Sequence, residues 1–236
     1  MNRFALLILI FTTLTACNSH SGTKAPDPWK SMDSRDYEVS EFRNIRLKGA
    51  FRVILQQSGE PGLSIKADKN DFDHLNIDVN NEVLSIGIKD KHFTLNQIIL
   101  YIQVEELEKM HIEGGVKLET NGYIELSDFY IHVQGGAKID MEVKADHFQL
   151  VAEGGVFFNL KGVGKKLEAR TAGASYINAK DLRCEEVEIQ IEGLGASFVH
   201  ATHLLTAHID GLGRVNYIGD PEVHKNIGGL GFVAKK

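Results

Sequence analysis

From Phe42 onward the chain alternates apolar and polar residues with period two. Phe51-Arg52-Val53-Ile54-Leu55, Leu63-Ser64-Ile65, Leu75-Asn76-Ile77-Asp78-Val79 and Ile98 to Val104 are examples. In an extended chain successive side chains point to opposite faces, so this pattern predicts strands with one face buried. No stretch after the first seventeen residues carries a 3.6-residue apolar stripe over a dozen positions, so almost no helix is expected.

The second half adds a longer period. Similar heptapeptides recur as IEGGVKL from Ile112, VQGGAKI from Val133, AEGGVFF from Ala152, TAGASYI from Thr171, IEGLGAS from Ile191, IDGLGRV from Ile209 and IGGLGFV from Ile227. Their first glycines are Gly114, Gly135, Gly154, Gly173, Gly193, Gly211 and Gly229, at steps of 21, 19, 19, 20, 18 and 18. A fixed step near nineteen predicts a parallel β-solenoid with a glycine at each corner, where the backbone turns sharply. Aligned on that glycine, the positions two before (Ile112, Val133, Ala152, Thr171, Ile191, Ile209 and Ile227) and four after (Leu118, Ile139, Phe158, Ile177, Ser197, Val215 and Val233) are apolar or small and should stack inward.

The first residues follow other rules. Arg3 and a mainly apolar run from Phe4 to Leu14 end in Leu14-Thr15-Ala16-Cys17, which resembles a bacterial lipobox. The run is too short to span a bilayer comfortably and reads as a lipoprotein signal peptide, residues 1–16, with Cys17 as the lipidated residue. Residues 17–35 hold Ser, Gly, Lys and two Pro without apolar periodicity, a flexible tether containing Trp29. The folded part is then 36–236, with N-terminal strands over 36–107 and regular Gly-cornered repeats over 108–236. Membrane attachment is expected through the lipid alone, since acyl chains contribute about 0.8 kcal/mol per buried CH₂. Asn18 is not the acidic residue that favours inner-membrane retention, which points to the outer membrane with the leaflet left open.

Composition narrows the function. The net charge is −6 and there is no basic stripe, so no nucleic-acid partner is expected. Of two cysteines one goes to the lipid, and Cys184, flanked by Arg183 and Glu185, alternates toward the core as a small hydrophobe. No phosphate loop, nucleophile elbow or His-Glu-x-x-His motif occurs, and no metal or other cofactor is expected.

The Gly-centred corners, the stretch FRVILQQSGEPGLSIKAD from Phe51 and the ending YIGDPEVHKNIGGLGF from Tyr217 resemble the DUF2807 family, the "putative auto-transporter adhesin, head GIN domain". The resemblance runs from about Tyr37 to the end. It departs from the family's usual Gly-Ser-Gly corner, which is here Gly-Gly, Gly-Ala or Gly-Leu-Gly. It implies a right-handed parallel β-helix of pectin-lyase-like architecture, an exported lipoprotein, and no catalytic residues to carry over.

Function is therefore sought on the outward columns. His111, Glu113, His132 and Gln134 should form one polar patch, and Phe157 and Tyr176 an aromatic pair beside Lys138. Aromatic faces with polar neighbours suit a sugar ring or a protein contact. Glu192 and Asp210 fall on neighbouring coils at a spacing that glycosidases also use, although any acidic column gives that spacing. The expectation is a non-enzymatic binding or adhesion module for a protein or glycan. A structural envelope lipoprotein that forms homo-oligomers is the alternative, and a glycan-active enzyme stands third.

Overall fold

The computed structural model describes residues 32–89 and 97–236. Nine strands make up most of it: β1 Met32–Tyr37, β2 Asn44–Gln57, β3 Gly62–Asp68, β4 Leu75–Asn80, β5 Val83–Ile88, β6 Ile99–Val104, β7 Lys109–Ile218, β8 Glu222–Ile227 and β9 Leu230–Lys235. A single 3-10 turn, Asp71–His74, is the only helical element among the described residues. Cys17, the signal peptide and Trp29 lie outside the described residues.

The architecture is all-β, but the expected right-handed parallel β-helix solenoid is corrected. The sheet is mixed and curls into a half-barrel. β2 pairs in parallel with β5, β6 and β7, whereas β1–β3, β3–β6 and β4–β5 are antiparallel. Short connections explain the difference. Only Asn81 and Glu82 separate β4 from β5, and both have positive φ (50° and 61°). That is the left-handed pair that closes a tight hairpin, and a hairpin can only be antiparallel. Period-two alternation fixes which face each residue takes but not the direction of its neighbour.

β7 runs for 110 residues. Drawn straight it would reach about 360 Å, so it must bend repeatedly. It folds back so that residues nineteen apart meet. Gln134 Nε2 donates to Glu153 Oε2 at 3.1 Å, Gln149 to Glu168 at 3.3 Å and Asn178 to Asn159 at 2.9 Å. The glycines lie at the closest of these approaches. A Cβ on Gly135 would sit 2.5 Å from the carbonyl oxygen of Gly114, and one on Gly173 2.7 Å from that of Gly154. Gly114, Gly135, Gly154, Gly173 and Gly193 also have φ between +108° and +131°. Gly211 and Gly229 face the same backbone approach without that φ. Close contact is thus the demand that all seven share.

The inward columns form the core. Ile112, Val133, Ala152, Ile191 and Ile209 are buried, as are Leu118, Ile139, Phe158, Ile177 and Val215, whereas in the last repeat Ile227 is exposed and Val233 only partly buried. Each large apolar side chain contributes about 1.5–3 kcal/mol. Phe129 and Phe148, both fully buried, meet edge to face at 5.1 Å. Cys184 is buried among them, and burial pushes its thiol up to about 12.

Candidate functional site

The outward columns of β7 bring two groups together. In the first, His111 and His132 lie edge to face with ring centroids 4.9 Å apart. His111 Nε2 stands 3.2 Å from Glu113 Oε1, and Lys48 Nζ from β2 is 3.1 Å from Glu113 Oε2. The Lys48 ammonium, then His111, hold the Glu113 carboxyl below its usual range. Gln134 reaches Glu153 rather than Glu113. Glu153, absent from the sequence reading of this patch, is likewise lowered, first by the Gln134 hydrogen bond and then by His132. His132 Nε2 is enclosed and lies 3.4 Å from Glu153 Oε1, but out of hydrogen-bond alignment. Two His rings and two separate carboxylates result, each carboxylate already engaged. Among the described residues no group of three or more His, Cys, Asp or Glu is arranged to hold a metal ion.

In the second group Phe157 and Tyr176 stack at 5.1 Å with an interplanar angle of 18°. Both rings are 37% exposed. Lys138 Nζ sits 5.6 Å from the Phe157 centroid, and its other neighbour is Asp140 at 3.6 Å. A shallow groove of about 520 Å³ continues from Tyr176 past Leu194, Leu212 and Leu230. These three leucines are 60%, 54% and 77% exposed, an apolar row unusual for a solvated face. The sequence reading missed them because they directly follow the corner glycines and were absorbed into the corner. The signal was present: three leucines at steps of 18 in an outward column.

Glu192 and Asp210 are both exposed, and Glu192 accepts a 2.7 Å hydrogen bond from Gln190. Among the described residues neither lines any of the five grooves that flank the sheet, and acid–base catalysis needs a groove that gives such a pair unequal environments. A groove of about 1030 Å³ runs elsewhere, past Arg43, Glu106, Glu108, Glu125 and Lys144. Several of its charges are paired within the chain, Arg43 with Glu106 at 2.6 Å and Lys144 with Glu125 at 3.2 Å.

The family model described as "Putative auto-transporter adhesin, head GIN domain" (DUF2807) matches residues 41–221. The chain belongs to this family. Solved structures share the fold. A putative adhesin from Bacteroides fragilis superposes with a TM-score of 0.82 at 21% identity, covering 89% of this chain and 99% of that one. A putative lipid binding protein from Parabacteroides distasonis gives 0.72 at 23% identity, covering 88% and 97%. A putative adhesin from Parabacteroides merdae gives 0.65 at 20%, covering 88% and 97%. No match is found among the curated proteins. Membership in the GIN-domain family places the chain among adhesin-like proteins.

Proposed function

We propose that this GIN-domain protein is a non-enzymatic adhesin, exported, held at the outer membrane by lipid on Cys17 and displayed on the cell surface. The stacked Phe157–Tyr176 pair with Lys138 beside it carries the reading. Rings left half-exposed in a stack present flat apolar area at little entropic cost, and a neighbouring cation gives the contact direction. Single contacts of this kind are weak, and many anchored copies on one cell would add them through avidity. The test is surface-plasmon-resonance binding to a panel of matrix proteins and glycans, with wild type, Phe157→Ala and Tyr176→Ala. Saturable binding weakened in both variants is expected. Binding unchanged in both removes this face from the account.

A specific feature favours a second reading, a structural envelope lipoprotein that self-associates. Among the described residues β8 and β9 each pair only with β7, and Leu230 and Phe232 on β9 are exposed. An open apolar edge is a template for another copy. Light scattering at micromolar concentration decides: oligomers support this reading, and a clean monomer sets it aside.

A further inference from the structure

A second outward groove lies where the mixed part of the sheet meets the start of β7. Strand register draws one straight row across five strands: Asp36 on β1 opposite Ser64 on β3, Ser64 opposite Tyr101 on β6, Tyr101 opposite Ile54 on β2, and Ile54 opposite Glu119 on β7. A second row runs beside it. Gly62 stands opposite Gln103, Gln103 opposite Gln56, and Asn121 Nδ2 donates to Gln56 Oε1 at 2.9 Å. Gly62 leaves room for the amide of Gln103, since a Cβ there would lie 2.6 Å from Gln103 Oε1. The two rows line a groove of about 810 Å³, within the range of ~300–1,000 Å³ that small-ligand sites occupy. Tyr101, at the middle of the first row, is 38% exposed, and Tyr37 also lines the groove.

We propose that this groove binds a neutral oligosaccharide, with Tyr101 as the stacking platform and the Gln103–Gln56–Asn121 amide row as the hydroxyl reader. A neutral sugar has an apolar C–H face and a rim of hydroxyls that both donate and accept. The Tyr101 ring matches the first. Side-chain amides, which also donate and accept, match the second. No Lys or Arg lines the groove among the described residues, and two carboxylates, Asp36 and Glu119, do. Glu119 is paired with Arg52 at 2.7 Å and Lys117 at 3.5 Å, so its charge is compensated, and Asp36 is the carboxylate left to disfavour an anionic sugar. A strand-adding peptide has no place at β6, which is paired on both sides, with β3 and β2. The groove shares no lining residue with the one that continues from Tyr176, and its proposal does not depend on the adhesion reading.

The experiment is calorimetric titration of the full chain with cellotetraose, mannotetraose, chitotriose and lacto-N-tetraose at millimolar concentration, and with sialyllactose and oligogalacturonate as anionic counterparts. Saturable binding of at least one neutral oligosaccharide is expected, and none of the anionic ones. Tyr101→Ala should weaken it about tenfold, while Tyr101→Phe, which keeps the ring, should stay within about threefold. Asn121→Ala, at an exposed position that folding does not need, should also weaken it. Loss of binding in Tyr176→Ala, with affinity kept in Tyr101→Ala and Asn121→Ala, would place the sugar on the aromatic face of β7 instead, which separates failure of this site from failure of that reading. Three results overturn the proposal: no neutral sugar binding, preference for the anionic sugars, or affinity unaltered in both Tyr101→Ala and Asn121→Ala.

Discussion

Gly135 and Gly136 are neighbours in sequence, yet alanine at the two positions should give opposite results. At Gly135 the new Cβ would stand 2.5 Å from the carbonyl oxygen of Gly114, at φ +124°. A left-handed φ costs an L-residue about 1–2 kcal/mol. The clash is with backbone, not with the end of a flexible side chain, so a carbonyl engaged in the sheet must move, a further ~1–3 kcal/mol on the scale of overpacked cores. Against this stands a gain of about 0.4–1 kcal/mol from the less flexible unfolded chain. The net loss is about 3 kcal/mol, or roughly 6–12 °C in Tm at this chain length. At Gly136 the nearest atom to a Cβ is the Gly155 oxygen at 3.9 Å, an ordinary contact, and no left-handed φ is required. Gly136→Ala should stay within about 1 kcal/mol of wild type, on the stabilising side. Urea denaturation followed by far-UV circular dichroism measures both. Equal losses, or a Gly135→Ala variant as stable as wild type, would refute close backbone approach as the reason for the glycine column.

Three other outcomes follow from the same geometry. Phe148→Ala, which removes a fully buried ring and its edge-to-face contact with Phe129, should cost about 3–5 kcal/mol in the same urea assay. Cys184, buried and with its thiol pushed up to about 12, should resist a thiol reagent in the folded protein and react once urea unfolds it, read by mass spectrometry of the Cys184 peptide. Glu119 has its folded pKa lowered chiefly by the Arg52 hydrogen bond. Its contribution to stability is therefore complete above the ordinary value of 4.5 and is lost as pH falls through the lowered folded value. The acid-side slope of the urea midpoint should flatten in Glu119→Gln, and an unchanged slope would discard the pair as a pH-linked contact.

The inward columns of β7 were legible because burial repeats at fixed offsets from a glycine, and Ile112, Val133, Phe158 and Ile177 all lie in the core. Outward alternation likewise brought Phe157 to Tyr176 and His111 to His132. Strand direction was not legible. Alternation reads the same in a parallel and an antiparallel neighbour, so the β4–β5 hairpin and the antiparallel β1–β3–β6 ladder were hidden. The Tyr101 groove was hidden for a related reason. Asp36, Ser64, Tyr101, Ile54 and Glu119 come from five strands, and only the register of four separate pairings aligns them. No spacing within one segment announces such a row. Gln134 illustrates a smaller limit: its column was right, but its amide turned to Glu153 on the next pass of the strand and not to Glu113.

An adhesin must be reachable from outside the cell. Intact cells should be treated with a protease that cannot cross the outer membrane, and this protein followed by immunoblot beside a periplasmic control. The account predicts loss of its band while the control persists. A band that survives while a known surface protein is digested would contradict surface adhesion and assign the protein to partners inside the envelope.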